Sequence, residues 1–151
     1  MLQDDGVGCH LVTRLSLEKS AWPVQFIDGG TISFDLVSPI ESSTHIIVLD
    51  AVNINQPPGS VQTLINDDLD IFLAKPEKSV HEVSLSDLFD MARLTDLLPA
   101  YRAMIAIQPQ IITWGENLTK PVDDAQIIAI AHMETLLLDW GILSIDECQL
   151  S

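Results

Sequence analysis

The sequence predicts an α/β protein, a three-layer αβα sandwich built on a mostly parallel, twisted sheet. Two observations predict it. Short apolar runs of strand length alternate along the chain with longer stretches of helical periodicity. The runs are also continuous, as in Ile46, Ile47, Val48 and Leu49, which is the pattern of strands buried on both faces of a parallel sheet. Hydrophobic residues make up 47% and aromatic residues 5%, so the core is aliphatic, and a length of 151 residues suits one domain over 1–151.

The elements follow in order. Asp4-Asp5 precede Gly6 and Gly8, and then Val7, Leu11, Val12 and Leu15 recur at helical spacing. Acids at that point cap free N–H groups and suit the helix dipole, and Asp4 is read in that role. GVG is no dinucleotide loop, because no strand precedes it and the third glycine is missing. Val24 to Ile27 form a short strand that runs into Asp28-Gly29-Gly30-Thr31, where glycine permits close backbone approach or positive φ. A helix from about Ser33 to Glu41 leads to the strand that ends at Asp50. Gln56-Pro57-Pro58-Gly59 is a turn, and Ser60 to Ile65 an edge strand. Asn66 to Lys78 is polar and acidic with a short helical look. From Ser84, Leu85, Leu88, Phe89, Leu94 and Leu97 mark one helical face that stops near Pro99. Ala103 to Ile107 is a buried strand. The last helix runs from about Pro121, a favoured first-turn proline, to Trp140, with Gly141 as its stop.

Charge narrows the partners. Seven Lys and Arg against 22 Asp and Glu give a formal charge of −15, which repels nucleic acid and anionic membranes alike. No apolar run approaches the roughly 18 residues of a membrane span, and no export-signal pattern is present, so the expected compartment is the cytoplasm. Cys9 and Cys148 lie near opposite ends without CxxC spacing and imply neither a zinc site nor a disulfide framework. Cys9 reads as a packed small hydrophobe, and Trp22, Trp114 and Trp140 as packing anchors.

Three polar positions stand at element ends: Asp5 opening the first helix, Asp50 closing its strand, and His81 before the long helix. Ligands and chemistry collect at the carboxyl ends of strands in open α/β sheets, and a carboxylate there needs a partner, a hydrogen-bond network or a metal. Asp50 either serves a site or caps the turn toward Asn53. Two carboxylates and an imidazole form an O,O,N set that leaves coordination positions open. At a helix N-terminus the dipole favours a neutral imidazole with a lone pair to donate. His10, His45 and His132 have no such setting. The absence of HExxH and GxSxG motifs argues against a resident catalytic zinc and a serine hydrolase.

The ordered set DDGVG, IDGGT, IIVLDAV, SVHEVSLSDLF and IAIQPQII resembles the nickel-iron hydrogenase maturation endopeptidases, over roughly Leu2 to Gly141. Each motif is short, and the signal lies in five of them in order. The resemblance implies a phosphorylase/hydrolase-like sheet between helix layers. It implies a cytoplasmic, monomeric peptidase, aspartic-type or metal-dependent, that trims the C-terminal extension of a nickel-loaded hydrogenase large-subunit precursor. The family's metal-contacting acids and histidine match Asp5, Asp50 and His81, and the aspartate of its DGGT motif, tied to the cleavage step or its substrate loop, matches Asp28. The nickel would arrive with the substrate, and no tightly bound resident metal is expected. Family members place an apolar strand and a GxGN loop before the acidic pair, whereas this sequence starts at Met1. The expectation is therefore an N-terminally truncated domain lacking its first strand, whose reading frame continues upstream. Two rivals accompany this reading: a non-catalytic metal-checkpoint or binding protein derived from such a peptidase, and a small-molecule hydrolase or phosphorylase on a similar sheet. The second is disfavoured by the want of a phosphate loop or nucleophile.

Overall fold

The computed structural model describes residues 3–30, 32–75, 83–110, 115 and 117–149. The described elements are helix α1 (Val7–Glu18), helix α2 (Val37–Glu41), strand β1 (His45–Ala51), strand β2 (Val61–Ile65), helix α3 (Asp67–Leu73), helix α4 (Leu85–Leu94), strand β3 (Tyr101–Ile107), helix α5 (Lys120–Asp139) and helix α6 (Ile145–Gln149). Single 3₁₀ turns, Asp4–Gly6 and Phe34–Leu36, lead into α1 and α2. The strands form a three-stranded sheet in the order β1-β3-β2.

End pairings give the strand directions. Tyr101 N–H donates to the Thr44 carbonyl and Val52 N–H to the Ile107 carbonyl, so β1 and β3 run parallel. Gln108 N–H donates to Ser60 and Asn66 N–H to Arg102, so β2 runs antiparallel to β3. Among the described strands the sheet is thus mixed, with one parallel and one antiparallel pairing. The α/β class and the edge position of β2 stand as predicted.

Successive strand residues point to opposite faces. Ala103, Met104, Ile105, Ala106 and Ile107 are all buried, so both faces of β3 are covered. Every residue of β1 is half-buried, in contrast to the doubly buried strand its apolar run suggests. Among the described residues β1 pairs along one side only, and an edge position leaves even Ile46 to Leu49 partly open.

The chain divides into two compact units. The first comprises Met1–Asp28, Val48–Thr63 and Ile105–Ser151. Here α1 packs on α5 through buried stripes, Val7, Leu11 and Leu15 on one helix and Val122, Ala129 and Met133 among those on the other. Trp22 is buried as an anchor, with Lys19 over its ring. Gly141 ends α5 at φ 72, the left-handed stop the sequence predicts. Val24 to Ile27 do not form a strand. The Val24 N–H turns back to the Trp22 carbonyl, and residues of high strand propensity make no strand without a neighbour to complete the ladder.

The second unit comprises Gly29–Ile47 and Leu64–Met104, in which α2 packs on α4. Helix α4 begins with a capping box: Ser84 Oγ accepts from the Asp87 N–H and the Asp87 carboxylate accepts from the Ser84 N–H. That contact holds the Asp87 carboxyl below its usual range. Leu85, Leu88, Phe89 and Ala92 form the buried stripe, but Leu94 is 87% exposed. It lies half a turn round from Leu85, so it leaves the predicted face, and Leu97 falls beyond the helix end.

An ion-pair network organises this unit. Asp70 on α3 receives Arg102 Nε at 3.0 Å and a second Arg102 nitrogen, and Arg93 Nη2 at 2.9 Å. The side chains of Arg102 and Asp70 are 13% and 25% exposed, dry enough for the pair to exceed a surface salt bridge. The Arg102 guanidinium holds the Asp70 carboxyl below its ordinary value against the opposing effect of burial. A depressed carboxyl contributes stability above the unfolded pKa and loses it as pH falls through the folded one. Asp70→Asn should therefore cost about 2 kcal/mol at neutral pH. The gap from wild type should close as pH drops below about 4. Urea titrations at several pH values check both.

Candidate functional site

The DDGVG segment folds as a 3₁₀ turn that continues into α1, and neither N-cap residue, Gln3 or Gly6, makes a side-chain cap bond. The capping role predicted for Asp4 is therefore corrected. Asp4 is completely buried. One carboxylate oxygen accepts from the Gln110 N–H at 2.8 Å and the Thr119 hydroxyl at 2.9 Å, and the other accepts from the Thr119 N–H at 2.8 Å. The cause is helical register. Asp4 falls on the stripe of Val7, Leu11 and Leu15, which turns it inward where an ordinary capping acid faces water.

Gly8 sets the distance between α1 and β1. A Cβ at this position would lie 2.2 Å from the Leu49 carbonyl oxygen and 3.8 Å from Asp50 Cα. Only a residue without a side chain lets the first turn of α1 rest on the end of β1. Asp5 and Gly8 are three residues apart along this helical run. Asp5 is exposed there.

Asp50 is half-buried, and its Oδ1 accepts from the Ala51 N–H at 2.8 Å. The loop that follows is held by Gln108, just beyond β3. Gln108 Oε1 accepts from the Ile54 N–H at 2.8 Å and the Gln56 N–H at 3.4 Å, and its Nε2 donates to the Pro109 carbonyl.

The other predicted residues fall as follows. Asp28 is exposed on an extended stretch at the end of its segment of the first unit. His81 and Trp114 lie outside the described residues. Among the described residues no group of three or more His, Cys, Asp or Glu stands close enough to hold a metal ion. His10 is exposed, His45 stacks on Tyr101 at 4.4 Å, and His132 bonds to Thr63. Cys9 and Cys148 are half-buried, and burial with Glu134 nearby pushes the Cys148 thiol up. A polar cleft in the second unit is lined by Asp70, Ser84, Asp87, Asp90 and Arg93, whose polar groups are engaged with one another.

Known proteins resemble this chain in sequence and fold. The hydrogenase maturation protease family model matches residues 9–136. The chain belongs to the hydrogenase maturation protease family. The hydrogenase expression/formation protein HupD of Rhodobacter capsulatus is 32% identical over 142 residues, covering 92% of this chain and 67% of that protein. Two solved structures share the fold. The hydrogenase maturating endopeptidase HybD from E. coli superposes with a TM-score of 0.82 at 23% identity, covering 93% of this chain and 87% of that one. The [NiFe] hydrogenase maturation protease HybD from Thermococcus kodakarensis does so with 0.73 at 24% identity, covering 90% and 91%. The α/β sandwich predicted from the sequence is the fold of these proteases.

Within this maturation-protease chain, sequence reasoning missed Asp4, Gly8 and Gln108 as organisers of the strand end. A polar residue closing an apolar strand had already marked Asp50, and the same signal marks Gln108. The close approach of Gly8 yields a stability prediction. Gly8→Ala must push α1 off the Leu49 carbonyl, which is backbone and cannot rotate away. The expected loss is about 3 kcal/mol despite the better helix propensity of alanine. Thermal and denaturant unfolding measure it, and an unchanged midpoint would refute the contact.

Proposed function

We propose that this chain is the endopeptidase that removes the C-terminal extension of a nickel-loaded [NiFe]-hydrogenase large-subunit precursor. Asp5, Asp50 and His81 contact the nickel carried by that precursor and so read whether its assembly is finished. The metal is cargo of the substrate, and the open O,O,N donor set suits a transient grip better than a resident site. Family membership supports the peptidase reading. The seating of Gly8 on Leu49, next to Asp50 at the end of β1, supports the metal-reading role.

Asp28 is assigned to the cleavage step. Hydrolysis adds a water oxygen to the scissile carbonyl carbon, breaks the C–N bond and returns a proton to the leaving amine. An exposed carboxylate at Asp28 can accept the proton that water gives up. Polarisation of the carbonyl by the substrate's nickel would assist the same attack.

Incubation of the purified chain with nickel-loaded precursor tests the proposal by mass spectrometry, since cleavage shifts the precursor mass by the tail it loses. Asp50→Ala and His81→Ala should each lower processing by at least about 100-fold. Folding should be little affected, because residues at element ends contribute little to the core. The purified protein should carry little metal and bind added nickel or cadmium modestly. Precursor binding without a mass shift would instead identify a non-catalytic checkpoint. Stoichiometric zinc that survives a chelator would point to a conventional metallopeptidase.

A further inference from the structure

We infer that Asp4, the inward-facing acid of the DDGVG pair, is the positioning residue for the metal-reading end of the molecule. This rests on the function proposed above and adds a residue to it. A helix start without a capping side chain ordinarily frays, and neither Gln3 nor Gly6 supplies a cap. Asp5 sits in that uncapped turn. What fixes the turn is tertiary: the neighbouring Asp4 carboxylate, with no solvent exposure, accepts three hydrogen bonds from two points far along the chain.

The donors carry a second indication. Thr119 is the N-cap residue of α5, where a threonine oxygen normally accepts from the helix's own N–H groups. Here the Thr119 side chain makes no cap bond and its hydroxyl donates to Asp4 instead. Gln110 follows β3 by three residues and Thr119 precedes α5, so one carboxylate ties both points to the turn that holds Asp5. Gln3 packs on Gly115 within the same segment. All three hydrogen bonds need Asp4 oxygens as acceptors. An asparagine offers one such oxygen and turns an NH₂ group toward a donor.

Three full-length variants test this: Asp4→Asn, Thr119→Val, which deletes the hydroxyl alone, and Thr119→Ser, which restores it. The readouts are kcat and KM for nickel-loaded precursor, nickel affinity by calorimetry, and the thermal midpoint. Asp4→Asn should lower both kcat and nickel affinity by about tenfold or more, since a small misplacement of a site residue carries that cost. Thr119→Val should shift both in the same direction by a smaller factor, and Thr119→Ser should match wild type. An Asp4→Asn protein that folds and keeps wild-type kcat and nickel affinity overturns the inference while leaving the proposed function intact. Where Asp4→Asn does not fold, the threonine pair decides. Equal site properties in Thr119→Val and Thr119→Ser overturn the inference, and a loss confined to valine supports it. A wild-type chain that neither cleaves precursor nor binds nickel overturns the proposed function, and the role of Asp4 falls with it.

Discussion

The contact on which the first unit depends is the seat of α1 on β1, where Gly8 meets the Leu49 carbonyl at a distance no Cβ would permit. Packing a helix this close leaves little freedom in its translation or rotation, because the neighbour is backbone. The buried stripe of Val7, Leu11 and Leu15 then fixes which side faces inward. With position and rotation set, one member of the acidic pair must face the interior and the other must flank it. Asp4 and Asp5 are thus chemically identical residues that the register assigns to opposite environments.

Burying a carboxylate is costly unless its oxygens are satisfied, and the donors that satisfy Asp4 are what the costly burial secures. They draw in the chain after β3 and the start of α5. Gln108 does the same for the loop after β1 through the N–H groups of Ile54 and Gln56. Two side chains, neither of them a candidate for chemistry, hold the connecting segments that surround Asp5 and Asp50. Loops gain their precision here from polar side chains that accept backbone donors, since loop backbone has no ladder of its own.

Much of this was legible in the sequence, for reasons that differ by element. Strands β1 and β3 announce themselves as apolar runs, and α4 and α5 as periodic ones, because burial imposes a pattern on a single segment. The Val24 to Ile27 stretch has strand composition but no strand, since a strand needs a partner and no local signal reports whether one is present. The direction of β2 depends likewise on its pairing with β3 rather than on its own residues. Asp50 stood out as a charge ending an apolar run. Asp4 did not, because its role is set by Thr119, 115 residues away, and an acid before a helix ordinarily caps it.

The second unit solves a comparable problem with charge instead of close packing. Asp70 sits at the start of α3, Arg93 at the end of α4 and Arg102 at the start of β3, so one carboxylate links three elements through two guanidinium groups. In a chain of net charge −15 an arginine is a scarce resource, and two of the seven basic residues converge on a single aspartate. Of the other acids, Glu18, Glu134, Asp90 and Asp124 pair with Arg14, Lys19, Arg93 and Lys120, and Asp4 is buried. The same excess of negative charge disfavours nucleic acid and anionic membranes as partners.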